Sequence, residues 1–235
     1  MDEAWYGLCD TCHAGLLADI AWMDAAESGE AAGTSYMSRR CGLCGKPLVS
    51  GSGLCLSCRN SAEHSYDRLI TIFCYSGKYR KLFGAYKFSK TLSIGHFFAE
   101  IIVKACCLLS NEEKNSVIIV PVPPAPGKIK KAGWDQIEYL SRLIESGWGE
   151  PAGIRAPPIT VSRCLKRLSS KVQKKLDRKN RLENLKGRII MTQDAPDTAI
   201  IIDDVITTGA TMEACAAALK ASGCKKVYGV CLVYD

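Results

Sequence analysis

The 235-residue sequence predicts an α/β fold, a mostly parallel sheet with helices on both faces, preceded by a small cysteine-rich module. Three observations carry this expectation. From Leu69 onward, apolar runs of strand length alternate with stretches of helical spacing. One such run, "AIII" at 199–202, leads into two aspartates, a glycine turn and a helix-like segment. Six of the thirteen cysteines, finally, stand in three CxxC pairs within the first sixty residues, and two of those pairs, 41/44 and 55/58, are only ten residues apart.

Taken in order, residues 1–62 are rich in Cys, Gly, Ala and Ser and show no sustained period of 2 or 3.6. That is the profile of a small metal-stapled module, with 63–235 forming the larger domain. Cys41-x2-Cys44 and Cys55-x2-Cys58 each make a knuckle that presents two thiolates to one tetrahedral ion, and the Gly/Ser-rich connector between them can fold back to join the knuckles. A structural zinc site is the favoured reading; redox dithiols and inert buried cysteines are the alternatives. Cys9 and Cys12 form a further pair with no partner pair before Cys41, and His13 is the nearest additional ligand. The other seven cysteines lie in apolar runs and read as small hydrophobes.

Beyond the module, "LITIFCY" reads as a strand, 79–88 as a helix, "SIGHFFAEIIVKACCLL" as a helix by its spacing, and "SVIIVPVP" as a strand. A helix follows at 136–146. After the Pro/Gly-rich connector at 149–158 come "TAIII", a strand, "TMEACAAALKASG", a helix closed by Gly223, and "KVYGVCLVY", a strand. Strands separated by helices imply parallel pairing and burial on both faces. No internal repeat or low-complexity tract interrupts the pattern.

The 47% apolar content is enough for a sizeable core, and the net charge of +7 is unevenly placed: −3 over residues 1–60 against +10 over 61–235. Residues 163–188 hold eleven basic and two acidic side chains. Such a segment suits an anionic partner, a phosphorylated substrate or nucleic acid, and equally a solvated helix face. It contains no aromatic residue, which argues against base stacking there. The N-terminus shows no basic region followed by an apolar run, and stretches such as "VIIVPVPPAP" and "AIII" are too short to cross a bilayer. The expectation is a cytoplasmic chain with reduced thiols and no membrane insertion.

"IIIDDVITTGAT" at 200–211 concentrates the functional signal. Adjacent carboxylates repel each other and resist desolvation, so their position after a buried strand requires a compensating partner. In a parallel sheet, ligands bind beyond the carboxyl ends of the strands, and Asp203, Asp204 and the segment after them are expected in the ligand-facing loop there. Gly209 permits a tight turn, while Thr207, Thr208, Ala210 and Thr211 supply hydroxyls and first-turn amides that can cradle a phosphate. The carboxylates would repel that phosphate and suit sugar hydroxyls or a hydrated magnesium ion. A ribose 5-phosphate meets both demands. A second loop, "VPPAPGKIKKAGWDQ" at 122–136, follows another strand, and its Lys128, Lys130 and Lys131 either meet a pyrophosphate or stand solvated in an exposed turn.

The run of four apolar residues, DD, two apolar residues, TTG, one residue and T resembles the phosphoribosyl-pyrophosphate (PRPP) motif of type I phosphoribosyltransferases. The resemblance implies that Asp203 and Asp204 hold the ribose hydroxyls and that 207–211 hold the 5-phosphate. In purine-specific members an aspartate often stands immediately before the TG and serves the purine as base; here that position is Thr207. With the paired CxxC, "YSGKYRKLFGAYKF", "VPVPPAPGKIKKAGWDQ" and "QKKLDRKNRLEN", nearly the whole chain resembles the ComF/GntX group, a zinc ribbon joined to a phosphoribosyltransferase-like domain and linked with competence and DNA uptake. Two departures stand out: "KAGWD" replaces the usual arginine-glycine pair, and the Cys9/Cys12 pair lacks its partner. The resemblance further marks Lys87, Gly133, Gln136, Gln173, Arg181 and Asn184 as site residues. It implies magnesium-dependent phosphoribosyl transfer with pyrophosphate release, or a non-catalytic role in DNA uptake with single-stranded DNA or a helicase as partner.

Overall fold

The computed structural model describes residues 8–28, 39–49, 53–60, 64–111, 117–148, 158–169 and 187–235. In chain order its elements are α1 (Asp10–Ser28), α2 (Leu56–Asn60), β1 (Arg68–Cys74), α3 (Gly77–Lys87), α4 (Ser93–Asn111), β2 (Val117–Pro121), α5 (Lys128–Ala132), α6 (Gln136–Glu145), β3 (Ile159–Val161), β4 (Leu165–Arg167), β5 (Ile189–Met191), β6 (Thr198–Ile206), α7 (Ala210–Ala221) and β7 (Lys226–Tyr234). Five strands form one sheet in the order β1-β7-β6-β2-β3, and every neighbouring pair is parallel. The α/β class and the parallel sheet expected from the sequence are thus observed.

Strand β6 shows why three isoleucines stand together. Side chains alternate across a strand, and here Ile200 and Ile202 enter the core cluster under α1, α3, α4 and α6, while Ala199 and Ile201 enter the cluster beneath α7. Both faces are covered, so an unbroken apolar run is what the strand requires. The sequence placed Asp203 and Asp204 in a loop; instead β6 runs on to Ile206, because β7 is equally long and pairs with it from Thr198↔Lys226 to Ile206↔Tyr234. The acidic pair therefore sits on the end of a strand.

Three further features depart from the expectations above. Residues 10–28, which show no clear period, form the nineteen-residue helix α1. Among its described side chains Leu16, Ile20 and Met23 are buried, and they join the cluster of the larger layer. A two-stranded antiparallel sheet, β4 with β5, is a second addition; each strand is three residues long. Finally, α4 is by length and composition apolar enough to cross a membrane over Ser93–Ser110, a longer run than "VIIVPVPPAP" or "AIII", but 72% of it is buried inside the protein. It is a core helix covered on nearly every side.

The cysteine module caps one edge of the sheet. Leu69 of β1 donates its backbone N–H to the Leu43 carbonyl at 2.8 Å, continuing the ladder on the side away from β7. The Thr71 hydroxyl donates to the Gly45 carbonyl at 2.6 Å, and Arg40 reaches Thr71 Oγ1 at 2.6 Å and the Ile72 carbonyl at 3.4 Å. Gly45, with φ of 67°, lies so close that a Cβ there would come within 2.7 Å of the Leu69 oxygen. Only a bare backbone fits this contact.

Candidate functional site

The chain leaves β2 towards β3 on one side of the sheet and leaves β6 towards β7 on the other, although β2 and β6 are neighbours. Their outgoing connections diverge, the topology that in open parallel sheets leaves room for a crevice beyond the carboxyl ends of the two strands. Asp203 and Asp204 stand at one lip, and the segment from Val122 to Gln136 leaves from the other. The topology itself brings the two sequence-predicted segments together.

Asp204 lies on the face of Ile200 and Ile202 and meets residues from two helices there. Lys87, in the last turn of α3, donates Nζ to Asp204 Oδ2 at 2.8 Å, and Gln136, the first residue of α6, donates Nε2 to the same oxygen at 2.8 Å. Lys128 donates Nζ to Gln136 Oε1 and to Asp135 Oδ2, each at 2.6 Å. Gln136 is held in turn by Tyr86, whose hydroxyl donates to its carbonyl at 2.7 Å. Lys87, Lys128, Gln136 and Asp204, separated by up to 117 positions in sequence, thus form one hydrogen-bonded chain. Both of these donors use Oδ2.

Asp135 and Tyr86 are residues that sequence reasoning missed. Asp135 caps α6, its Oδ1 accepting from the Ile137 and Glu138 amides at 3.0 Å each. An aspartate just before an apolar helical stretch is an N-cap signal, so this role was available in "WDQIEYL". The contact of Tyr86 is long-range, and nothing local announces it.

Asp203 faces the opposite layer, paired in register with Cys231. Its Oδ1 accepts the Asp204 backbone N–H at 2.8 Å. Loss of water and then the negative charge of Asp204 push its carboxyl well above the usual range. A carboxyl raised in this way, beside one held by a lysine, is the environment in which two adjacent acids acquire different protonation.

The turn after β6 opens directly into a helix N-terminus. Gly209 adopts φ of 76° as N-cap of the twelve-residue α7, a conformation that favours glycine. The Ala210 amide donates to Thr208 Oγ1 at 3.3 Å. Thr207 is exposed, Thr208 and Thr211 are half-buried, and Ala210 is buried. The amides of the first turn lack carbonyl partners within the helix and carry the positive end of its dipole. Lys130 and Lys131 lie in the exposed last turn of α5, and Gly133 is the left-handed C-cap of that helix. Among the described residues neither lysine joins the chain of bonds to Asp204. Gln173, Arg181 and Asn184 lie outside the described residues, as does most of the basic segment.

A second cluster lies against β1. The sulfurs of Cys41, Cys44, Cys55 and Cys58 all lie within 4.8 Å of one another, Cys44 and Cys55 at 3.7 Å. A tetrahedral zinc ion with bonds of about 2.3 Å needs sulfur separations of about 3.8 Å, so these four cysteines can hold one. Burial pushes the Cys41 thiol up, but amides including those of Cys44 and Cys55 more than offset this and hold it at about 7. Burial pushes Cys44 up to about 12 and raises Cys58 as well. Four such thiols ionise together only around a cation. Cys9 and Cys12 are exposed and lie outside this cluster.

No family model and no curated protein matches the chain. Among solved structures it is similar to a purine phosphoribosyltransferase from Pyrococcus horikoshii Ot3, with 20% identity, coverage of 58% of this chain and 72% of that one, and a TM-score of 0.30.

Proposed function

We propose that the chain binds a ribose 5-phosphate ligand, PRPP in its full form, at the divergence of β2 and β6, and transfers the phosphoribosyl group with release of pyrophosphate. The carrying observation is the convergence on Asp204 of Lys87, Gln136 and, through Gln136, Lys128. Two helices deliver a cationic and a polar group to one carboxylate on the end of a strand, and a third braces the polar one through Lys128. The motif at 199–211 supports the same reading.

In this reading Asp203 and Asp204 accept hydrogen bonds from the vicinal ribose hydroxyls, while Asp204 Oδ2 keeps its protein donors. The Gly209 turn receives the 5-phosphate on the amides that open α7. Lys87 and Lys128 compensate the charge of the carboxylate and of the departing pyrophosphate. Magnesium would come with the pyrophosphate as a hydrated counter-ion, neutralising its oxygens. The four-cysteine site would hold a structural zinc. Catalysis then consists of positioning and of stabilising charge as the sugar becomes oxocarbenium-like.

Calorimetry with PRPP and magnesium, followed by a pyrophosphate-release assay over a panel of nucleobases, tests the reading. Asp204→Asn is expected to lower turnover by about a hundredfold, the scale of losing one preorganised electrostatic contact, while the protein remains folded. Turnover equal to wild type in that variant rejects the assignment.

A second reading, a non-catalytic DNA-uptake accessory that binds single-stranded DNA or a helicase, is favoured by the eleven basic side chains of residues 163–188. It expects DNA binding that weakens steeply with salt as counterions are released. No DNA binding at low ionic strength counts against it.

A further inference from the structure

Glu213 lies in the first turn of α7, and its backbone N–H donates to the Gly209 carbonyl at 2.8 Å, making the first bond of the helix. An acidic residue here suits the helix dipole without needing any partner. Its carboxylate nevertheless gathers three donors from a segment about 150 residues earlier in the chain. The Ser65 amide and hydroxyl donate to Oε1 at 3.0 and 2.6 Å, and His64 Nδ1 stands 3.3 Å from Oε2. The other ring nitrogen of His64, Nε2, lies 3.6 Å from the sulfur of Cys58. The imidazole is kept in that orientation by stacking on Tyr66, with centroids 4.9 Å apart and planes 24° apart, and Tyr66 is itself buried. One continuous path therefore runs from a cysteine of the metal cluster, through His64 and Glu213, to the carbonyl of the phosphate-turn glycine.

Groups that hold a metal ligand from behind fix its orientation, and the constraint acts in both directions. We propose that Glu213, with His64 and Ser65, is a positioning residue that couples the four-cysteine metal site to the Gly209 turn, so that metal occupancy and sugar-phosphate binding strengthen each other. This rests on the phosphate reading of residues 207–211. A metal on Cys58 fixes the sulfur against which His64 Nε2 stands, His64 and Ser65 hold the Glu213 carboxylate, and the start of α7 is presented in its binding form. By linkage, a phosphate that orders the same turn must stabilise the metal site by an equal factor.

The test uses the full chain with cobalt(II) in place of zinc, so that the thiolate-to-metal absorption bands report on the cluster while calorimetry reports ribose 5-phosphate binding. In the wild-type protein, ribose 5-phosphate is expected to bind and to shift the cobalt bands. Glu213→Gln should retain the four-thiolate spectrum, bind ribose 5-phosphate about five- to tenfold more weakly, and show no band shift on ligand addition. If both proteins bind ribose 5-phosphate equally and the wild-type bands do not move, the coupling is overturned while the proposed function stands. If the wild-type protein does not bind ribose 5-phosphate, the functional reading fails and the coupling with it. Should Glu213→Gln not fold, His64→Gln, which keeps all four cysteines, takes its place: weaker binding without a band shift supports the coupling, and unchanged binding overturns it.

Discussion

Asp203 is half-buried, and ionising it places a second negative charge beside Asp204, so the native state keeps this proton above the pH at which the unfolded chain loses it. The native state thus binds more protons above about pH 4, and the contribution of Asp203 to stability falls as pH rises from there towards its raised native value. Asp203→Asn removes that burden. Its melting temperature at pH 7 should exceed wild type by a few degrees, and the difference should shrink as pH approaches 4; a variant that melts lower at pH 7 contradicts this account. The same substitution should weaken ribose 5-phosphate binding, since destabilised groups concentrate where a ligand supplies the missing partner. At this scale the sequence was readable wherever a residue type is rare in its setting: an acidic pair after a buried strand, paired cysteines, a glycine that must take positive φ. The partners of Asp204 were visible only as isolated lysines and a glutamine, because residues 87, 136 and 204 become neighbours through sheet topology alone.

Among the elements, β7 is buried along most of its length. A Cβ on Gly229 would lie 2.6 Å from Leu69 Cδ1 and 2.9 Å from Met212 Sδ, in the cluster between sheet and α7. Gly229→Ala should therefore destabilise the protein by about 1–3 kcal/mol, as overpacked cores do, read as an earlier midpoint in urea unfolding. An unchanged midpoint would show that Leu69 and Met212 can give way freely. The long elements of the sheet were legible because β6 and β7 are apolar on both faces and α6 and α7 carry helical spacing with recognisable ends. Short or sparse elements were not. Strands β3, β4 and β5 hold three residues each, below the length at which a period can be counted, and in α1 the buried residues Leu16, Ile20 and Met23 stand in a sequence with many small ones. The extension of β6 through two aspartates was hidden for another reason: pairing with β7 outweighs the local preference of Asp for turns.

For the molecule as a whole, the four-cysteine cluster is tied to the sheet by hydrogen bonds, since Leu43, Gly45 and Arg40 bond directly to β1. Removing the metal with a chelator should accordingly lower the melting temperature of the sheet as well as that of the cysteine cluster, followed by circular dichroism in the far ultraviolet. A sheet that melts at the same temperature with and without metal would show the cluster to be a passive attachment. Metal affinity should rise between pH 6 and 8, because Cys41 titrates at about 7 while Cys44, raised to about 12, surrenders its proton only to the ion. The outer flank of β1 has a consequence of its own. That strand has one hydrogen-bonding side left over after pairing with β7, and the loop of Leu43 and Gly45 closes it. Take the clasp away and the strand becomes a seed on which other copies can stack, so the supply of zinc would govern how long the protein remains dispersed.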